Sequence, residues 1–77
     1  MNEKILVADD DRNIAELLRL YLVKEGFTPI LAAGGEEAFH AFETEHPDLI
    51  LLDLMMPKMD GRTVCEKIRK TSQVPII

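Results

Sequence analysis

The chain has one cysteine, Cys65. That excludes an internal disulfide, and with no Cys or His partner placed beside it there is no basis for a zinc site. Basic residues are also in short supply. Nine Lys and Arg stand against 14 Asp and Glu, a net charge of −5, which argues against broad contact with nucleic-acid phosphates. The apolar run near the N-terminus, centred on Ile5 to Ala8, is too short for a signal-peptide core or a membrane span. A free thiol without a signal sequence fits a reducing setting, so a cytoplasmic location is expected. Repeats, low-complexity tracts and linkers are absent as well. What remains is a 77-residue chain, 47% hydrophobic and 30% charged, a balance that suits a globular fold rather than disorder. At this length a single core rarely gives more than about 3–5 kcal/mol of net stability.

The hydrophobic pattern changes period along the chain. Lys4 to Ala8 is a short apolar run with β-branched members, and acids follow it; such a run suits a strand buried on both faces. From Asp11 onward, Ile14, Leu17, Leu18, Tyr21 and Leu22 follow the spacing of a helix with one core face. Asp11 serves as the N-cap of that helix and Gly26 follows its C-terminus. Phe27 to Ala33 reads as a second strand. Pro29 has no N–H to give to a ladder, which places this strand at an edge. After a turn at Gly34 and Gly35, residues Ala38, Phe39, Ala41 and Phe42 mark a second helix that stops before His46 and Pro47. Leu49 to Leu52 is a third buried strand, ending in Asp53. A loop carrying Pro57 leads to a third helix marked by Val64, Cys65 and Ile68, with Asp60 as its cap. Val74 to Ile77 begins a fourth strand. Alternation of this kind, β-α-β-α-β-α-β, predicts an α/β fold: a parallel sheet with helices on both faces.

In open sheets of this class, ligands bind beyond the carboxyl ends of the strands. Asp9 and Asp10 end the first strand and Asp53 ends the third. If those strands are neighbours, three carboxylates meet at one rim. Two such charges about 4 Å apart repel by roughly 4 kcal/mol at an effective dielectric near 20. The cluster therefore calls for a bound proton or a cation. Oxygen ligands favour Mg²⁺, Mn²⁺ or Ca²⁺ over Zn²⁺, and a carboxylate beside such an ion can be a nucleophile toward a phosphoryl group. The plainer reading of these acids is that strand ends are solvated and carry acids that only cap helices; for Asp11 that reading is preferred.

Two stretches carry a family resemblance: Ile5-Leu-Val-Ala-Asp-Asp-Asp11 and Asp48-Leu-Ile-Leu-Leu-Asp-Leu-Met-Met-Pro-Lys-Met-Asp-Gly61. With the closing Val74-Pro-Ile-Ile77, they resemble the receiver domain of bacterial two-component response regulators, a flavodoxin-like fold. The resemblance implies that Asp53 is the phosphoacceptor. It further implies that Asp10 is the direct carboxylate ligand of Mg²⁺, that Asp9 is its partner, often through water, and that the Met55 backbone carbonyl completes the protein ligands. Pro57 and Gly61 would shape the loop, and Asp60 would cap the third helix rather than bind metal. The implied donor is a phosphohistidine on a sensor histidine kinase, replaceable by a small acyl phosphate. Such a domain is a signalling phosphoacceptor that assists its own phosphorylation, not an ordinary enzyme. The first helix followed by Glu25-Gly-Phe27 is similar to receivers attached to winged-helix transcription factors, so DNA would be reached only through an output domain outside this chain.

Receivers run to about 120 residues, within the usual domain range. Residues 1–77 are accordingly expected to be one partial receiver domain. The switch Thr or Ser, the Lys that contacts the phosphoryl group, the last strand and two helices would then lie outside it. The last helix would cover the same sheet face as the first, so exposed apolar surface and a homodimer or swapped oligomer are expected.

Other readings compete with this one. A signalling-incompetent fragment that only folds and self-associates is one. A haloacid-dehalogenase-like phosphotransferase would use Asp9 and Asp11 as its Asp-x-Asp pair, leaving Asp53 unexplained. A calcium loop from Asp9 fails at Ile14, where glycine is needed, and at Leu20, where glutamate is needed. His40 and His46 read as surface residues, Cys65 as packing, and Met56 and Met59 as loop and core contacts. Lys58 reads as a solvated lysine, near enough to the acidic rim to steer an anionic donor.

Overall fold

The computed structural model describes residues 3–53, 56 and 60–77. Its elements are β1 (Lys4–Ala8), α1 (Arg12–Lys24), β2 (Thr28–Ala32), α2 (Gly35–Glu45), β3 (Leu49–Leu52) and α3 (Gly61–Arg69). The strands form a parallel sheet in the order β2-β1-β3. A fourth segment joins the far side of β3 through a parallel bridge between Ile50 and Ile76, so the stretch from Val74 adds to the sheet only at its tip. Each β-α-β step needs a crossover to keep the strands parallel, and the three helices supply these on the two faces of the sheet.

The edge position of β2 follows from Pro29. Alternate N–H groups of a parallel strand face its partner. Thr28 N–H donates to the Glu3 carbonyl at 2.8 Å, which turns position 29 outward, where a missing donor leaves no gap in the ladder. Helix ends follow local chemistry equally closely. The Asp11 carboxylate accepts from the N–H groups of Asn13 and Ile14 at 2.9 and 3.2 Å. At the other end of α1, Gly26 has φ of +90°. There Phe27 N–H donates to Leu22 O at 2.9 Å and Gly26 N–H to Val23 O at 3.1 Å, the paired bonds of a Schellman motif. Helix α2 ends on His46, itself left-handed at φ 49°, just before Pro47. Gly35, expected in the turn, is instead the first residue of α2, with Gly34 as its N-cap.

Strand β1 is central and buried on both faces. Leu6 and Ala8 point into the larger core with Ile50, Val64, Ile68 and Met56, under α2 and α3. Ile5 and Val7 point the other way, toward Leu22 of α1. Completely burying a side chain of this size contributes about 1.5–3 kcal/mol.

The core face expected for α1 needs correction. Of the five residues predicted to form it, Leu22 is buried and Leu18 half-buried, while Ile14, Leu17 and Tyr21 stand exposed. The helix lies over β1 and β2, and it meets them with Ala15, Leu18 and Leu22. These three share the i, i+3, i+7 spacing, so periodicity alone fits either phase of the helix. Small Ala15 sets the phase because it permits close approach to the sheet.

The third helix behaves as expected. Asp60 accepts from Thr63 N–H at 2.9 Å, and that hydrogen bond holds its carboxyl below the ordinary carboxylate range, with Arg62 adding a smaller charge effect. A depressed folded-state pKa adds stability above the unfolded carboxylate pKa, near 3.9. That contribution is lost as pH falls through the folded value. Asp60→Ala is therefore expected to lower the melting temperature at neutral pH, and Asp60→Asn to retain most of the cap. The Asp60→Ala and wild-type melting temperatures should converge as the pH is taken below about 4, as far as the remainder of the fold survives. Circular dichroism melts across pH check this; an unchanged gap at acid pH would show that the carboxylate charge is not what stabilises the helix.

Candidate phosphoacceptor site

The three acids gather at the carboxyl end of the sheet. Asp9 follows β1 directly and Asp53 follows β3, and the pairing Ala8 to Leu52 puts the two strand ends level. Backbone hydrogen bonds hold both departure points: Asp53 N–H donates to Ala8 O at 2.9 Å, and Asp9 N–H donates to Ala32 O at 3.0 Å. One carboxylate oxygen from each of Asp9, Asp10 and Asp53 lies within 4.8 Å of the others. Asp9 and Asp53 are half-buried and Asp10 is exposed. The Asp9 carboxylate also accepts from Asp11 N–H at 2.9 Å, which fixes its orientation. Asp11 thus turns its side chain to the helix and its backbone to the site. It takes no place in the carboxylate cluster.

The acids border a cleft of about 620 Å³ whose floor is apolar, with Val7, Ile14, Leu18 and Leu51 among its lining. A floor of this kind lowers the local dielectric and makes the neighbouring charges interact more strongly. The donor set suits a hard divalent cation. Around an octahedral ion at about 2.1 Å, adjacent ligands stand about 3 Å apart and opposite ones about 4.2 Å. A cluster whose oxygens all lie within 4.8 Å of one another is of the size such an ion needs.

Met55, whose carbonyl was expected to complete the ligands, lies outside the described residues, as do Pro57, Lys58 and Met59. Met56 is buried in the larger core. Gly61 opens α3 and is buried. Cys65 is half-buried on the same helix. His40 and His46 are exposed, and neither lies near the acids.

One structural role escaped sequence reasoning. Asp48 N–H donates to Lys4 O, and its carboxylate accepts from Lys4 N–H, both at 2.8 Å. This clamp sets the register of β1 against β3 at the end opposite the site, and so brings Asp9 and Asp53 level. The only sequence signal was an acid immediately before a strand.

Residues 5–77 match the family described as the response regulator receiver domain. The chain belongs to that family. Relatives agree along nearly all of it. It is 55% identical over 75 residues to the probable transcriptional regulator ycf27 of Porphyridium aerugineum, covering 97% of this chain and 31% of that protein. It is 51% identical over 70 residues to the alkaline phosphatase synthesis transcriptional regulatory protein PhoP of Bacillus subtilis, covering 91% of this chain and 29% of PhoP. The chain thus spans about a third of the length of these curated relatives. Among solved structures, the response regulator TrrA of Thermotoga maritima, in complex with Mg²⁺-BeF, superimposes with a TM-score of 0.87 at 42% identity, over 92% of this chain and 62% of that one.

The receiver fold, the parallel sheet between helices and the acid cluster agree with one another. The architecture is typical of receiver domains, and the acid cluster is consistent with a divalent-cation site of the kind such domains carry. The dehalogenase-like alternative leaves the family match and the place of Asp53 unexplained.

Proposed function

We propose that this chain is the phosphoacceptor portion of a two-component response regulator, phosphorylated on Asp53 in a Mg²⁺-dependent reaction. The observation that carries the reading is the convergence of Asp53 with Asp9 and Asp10 at one strand-end rim. In this reading Asp10, Asp9 and Asp53, with the Met55 carbonyl, would hold Mg²⁺. The bound ion supplies charge neutralisation for the transferring phosphoryl group.

Asp53 is assigned as the nucleophile from the receiver-family pattern; Asp9 and Asp53 share one setting, each following a strand and half-shielded, while Asp10 is exposed. One Asp53 oxygen attacks phosphorus in line. The new O–P bond forms as the bond from phosphorus to the donor breaks, and the leaving imidazole, or carboxylate of an acyl phosphate, takes the electron pair. The hydrogen bond from Asp11 N–H fixes the Asp9 carboxylate, which would hold it in place beside a bound ion. The donor is a phosphohistidine of a sensor histidine kinase, with a small acyl phosphate able to substitute.

Transcription is the output favoured by the relatives, since ycf27 and PhoP are both named as transcriptional regulators. DNA would then be contacted by an output domain and not by this acidic chain. A cytoplasmic location suits the free thiol of Cys65. Among the described residues no helix is long and apolar enough to cross a membrane. The chain is further expected to pair with itself, because large apolar side chains stand exposed.

Incubation with a small acyl phosphate and Mg²⁺, followed by intact mass spectrometry, tests the reading. One added phosphoryl group, labile to hydroxylamine and absent from Asp53→Asn, is expected. A phosphoryl group that persists in Asp53→Asn would move the acceptor elsewhere, with Asp9 the first residue to examine. No phosphoryl group on the wild-type chain would support the signalling-incompetent reading for these 77 residues.

A further inference from the structure

Three amide hydrogen bonds cross the sheet in a single row at the rim that carries the acids. Asp53 N–H donates to Ala8 O at 2.9 Å, and Asp9 N–H donates to Ala32 O at 3.0 Å. Ala33 N–H then donates to the Glu37 carboxylate at 3.0 Å. Covalent structure links the three. Ala8 C=O and Asp9 N–H belong to one peptide unit, and so do Ala32 C=O and Ala33 N–H. In a trans peptide these groups point in opposite directions, so each bond continues the one before it. The row starts at the amide of Asp53, passes through the amide of Asp9 and ends on Glu37 of α2.

Strand β2 is an edge of the sheet, so the outward N–H of Ala33 has no further strand to meet. Glu37 takes the place of one. A glutamate at the third position of a helix ordinarily turns back to the N–H of the N-cap residue. Here the N-cap is Gly34, which offers no side-chain cap. Glu37 reaches one residue further, to the first N–H beyond β2. Its bond therefore ties α2 to the loop beside the site and not only to its own first turn. Glu37 and Asp9 also line one cleft of about 270 Å³, together with Arg12 and Leu31.

We infer that Glu37 is a positioning residue for the acid cluster, acting through this row of peptides. A charged acceptor makes a bond roughly twice as strong as a neutral one. Bonds in series polarise one another, by about 10–30% each. The Glu37 carboxylate thus makes the Ala32 carbonyl a better acceptor for Asp9 N–H. Through the next peptide it does the same for the Ala8 carbonyl that holds Asp53 N–H. Asp9 and Asp53 are each the first residue past a strand, so the row fixes where both carboxylates leave the sheet. Glu37 is exposed, so water competes for the last bond, and losing it weakens the row without breaking it. The consequence for Mg²⁺ rests on the phosphoacceptor reading above; the hydrogen-bonded row does not.

Amide-resolved NMR spectra of the 77-residue chain test it, with three variants. In Glu37→Ala, exchange of the Ala33 amide should speed up about fivefold relative to that of Leu6, the fold-change of one net hydrogen bond. The Asp9 and Asp53 amides should speed up about twofold on the same scale. A Mg²⁺ titration in the same spectra should show the dissociation constant raised about threefold to tenfold. That is less than the roughly 10–100-fold that follows loss of a partner bonded directly to a ligand side chain. Glu37→Gln keeps an acceptor oxygen and should recover most of both effects. Glu36→Ala removes the other acid of the first turn of α2, which carries the same charge without the bond, and should change neither. A role confined to capping α2 predicts instead that the α2 amides speed up while Asp9 and Asp53 keep pace with Leu6. That result, or an equal response in Glu36→Ala, would overturn the inference. A wild-type chain with no response to Mg²⁺ would count against the phosphoacceptor reading, and the exchange rates would still decide the role of Glu37.

Discussion

Asp10→Asn is expected to have opposite effects on folding and on phosphorylation. Without a divalent cation, three carboxylates whose oxygens lie within 4.8 Å repel one another. Each pair contributes roughly 1–3 kcal/mol of repulsion between the water-like and surface-like dielectric limits. Removing the charge on Asp10 relieves two of the three pairs, so the variant should melt higher than the wild type in chelator. With Mg²⁺ the order should narrow or reverse. A cation at tenfold its dissociation constant stabilises the wild type by about 1.4 kcal/mol, worth several degrees in a chain of this size. The variant, having lost the carboxylate proposed as a direct ligand, should show little of that gain.

Acyl phosphate formation on Asp53 should fall by about 10²-fold or more in the same variant, because several kcal/mol of charge stabilisation go with the ion. Melts with chelator and with Mg²⁺, beside the mass-spectrometric assay, separate the two effects. A variant that melts lower in chelator would mean that Asp10 stabilises the fold by contacts and that the cluster is not electrostatically strained. One that keeps its full response to Mg²⁺ would remove Asp10 from the ligand set.

The second large effect is in the core. Ile50 is fully buried at the middle of β3, paired with Leu6 on one side and bridged to Ile76 on the other. It packs in the larger cluster with Val64 and Ile68. Ile50→Ala should cost about 2–5 kcal/mol through lost burial and the cavity left behind. Against a total near 3–5 kcal/mol for a chain of this length, the variant should be largely unfolded at 25 °C. Leu49→Ala, one residue away but half-buried on the α1 face, should cost distinctly less. Urea unfolding at one fixed protein concentration checks both, since association shifts apparent stability. Equal losses at the two positions would contradict the assignment of the main core to the α2 and α3 side.

What could be read directly from the sequence was local. Asp11, Gly26 and Asp60 end helices through hydrogen bonds that span only a few residues. Pro29 marks an edge because it lacks a donor, whatever lies elsewhere in the chain. The strand that ends in Asp53 is an uninterrupted apolar run, and the acids at its end and after β1 are visible as letters. The family resemblance rests on those same short stretches, which is why it extended over the whole chain.

Tertiary structure decided matters that depend on residues distant in sequence. Asp9 and Asp53 are brought level by the β1 and β3 register, which the clamp between Lys4 and Asp48 helps to set; no local signal specifies a register between strands so far apart. The phase of α1 was likewise undetermined. Its apolar residues cover more than one helical face, and periodicity reports that a face exists without saying which one meets the sheet. Only the docking of Ala15, Leu18 and Leu22 against β1 and β2 selected it. The sequence by itself thus determined the elements, their ends and the chemistry available at the strand ends. The fold determined which carboxylates share a site and which apolar side chains remain in water, because both depend on free energy gained between segments that meet only in the folded chain.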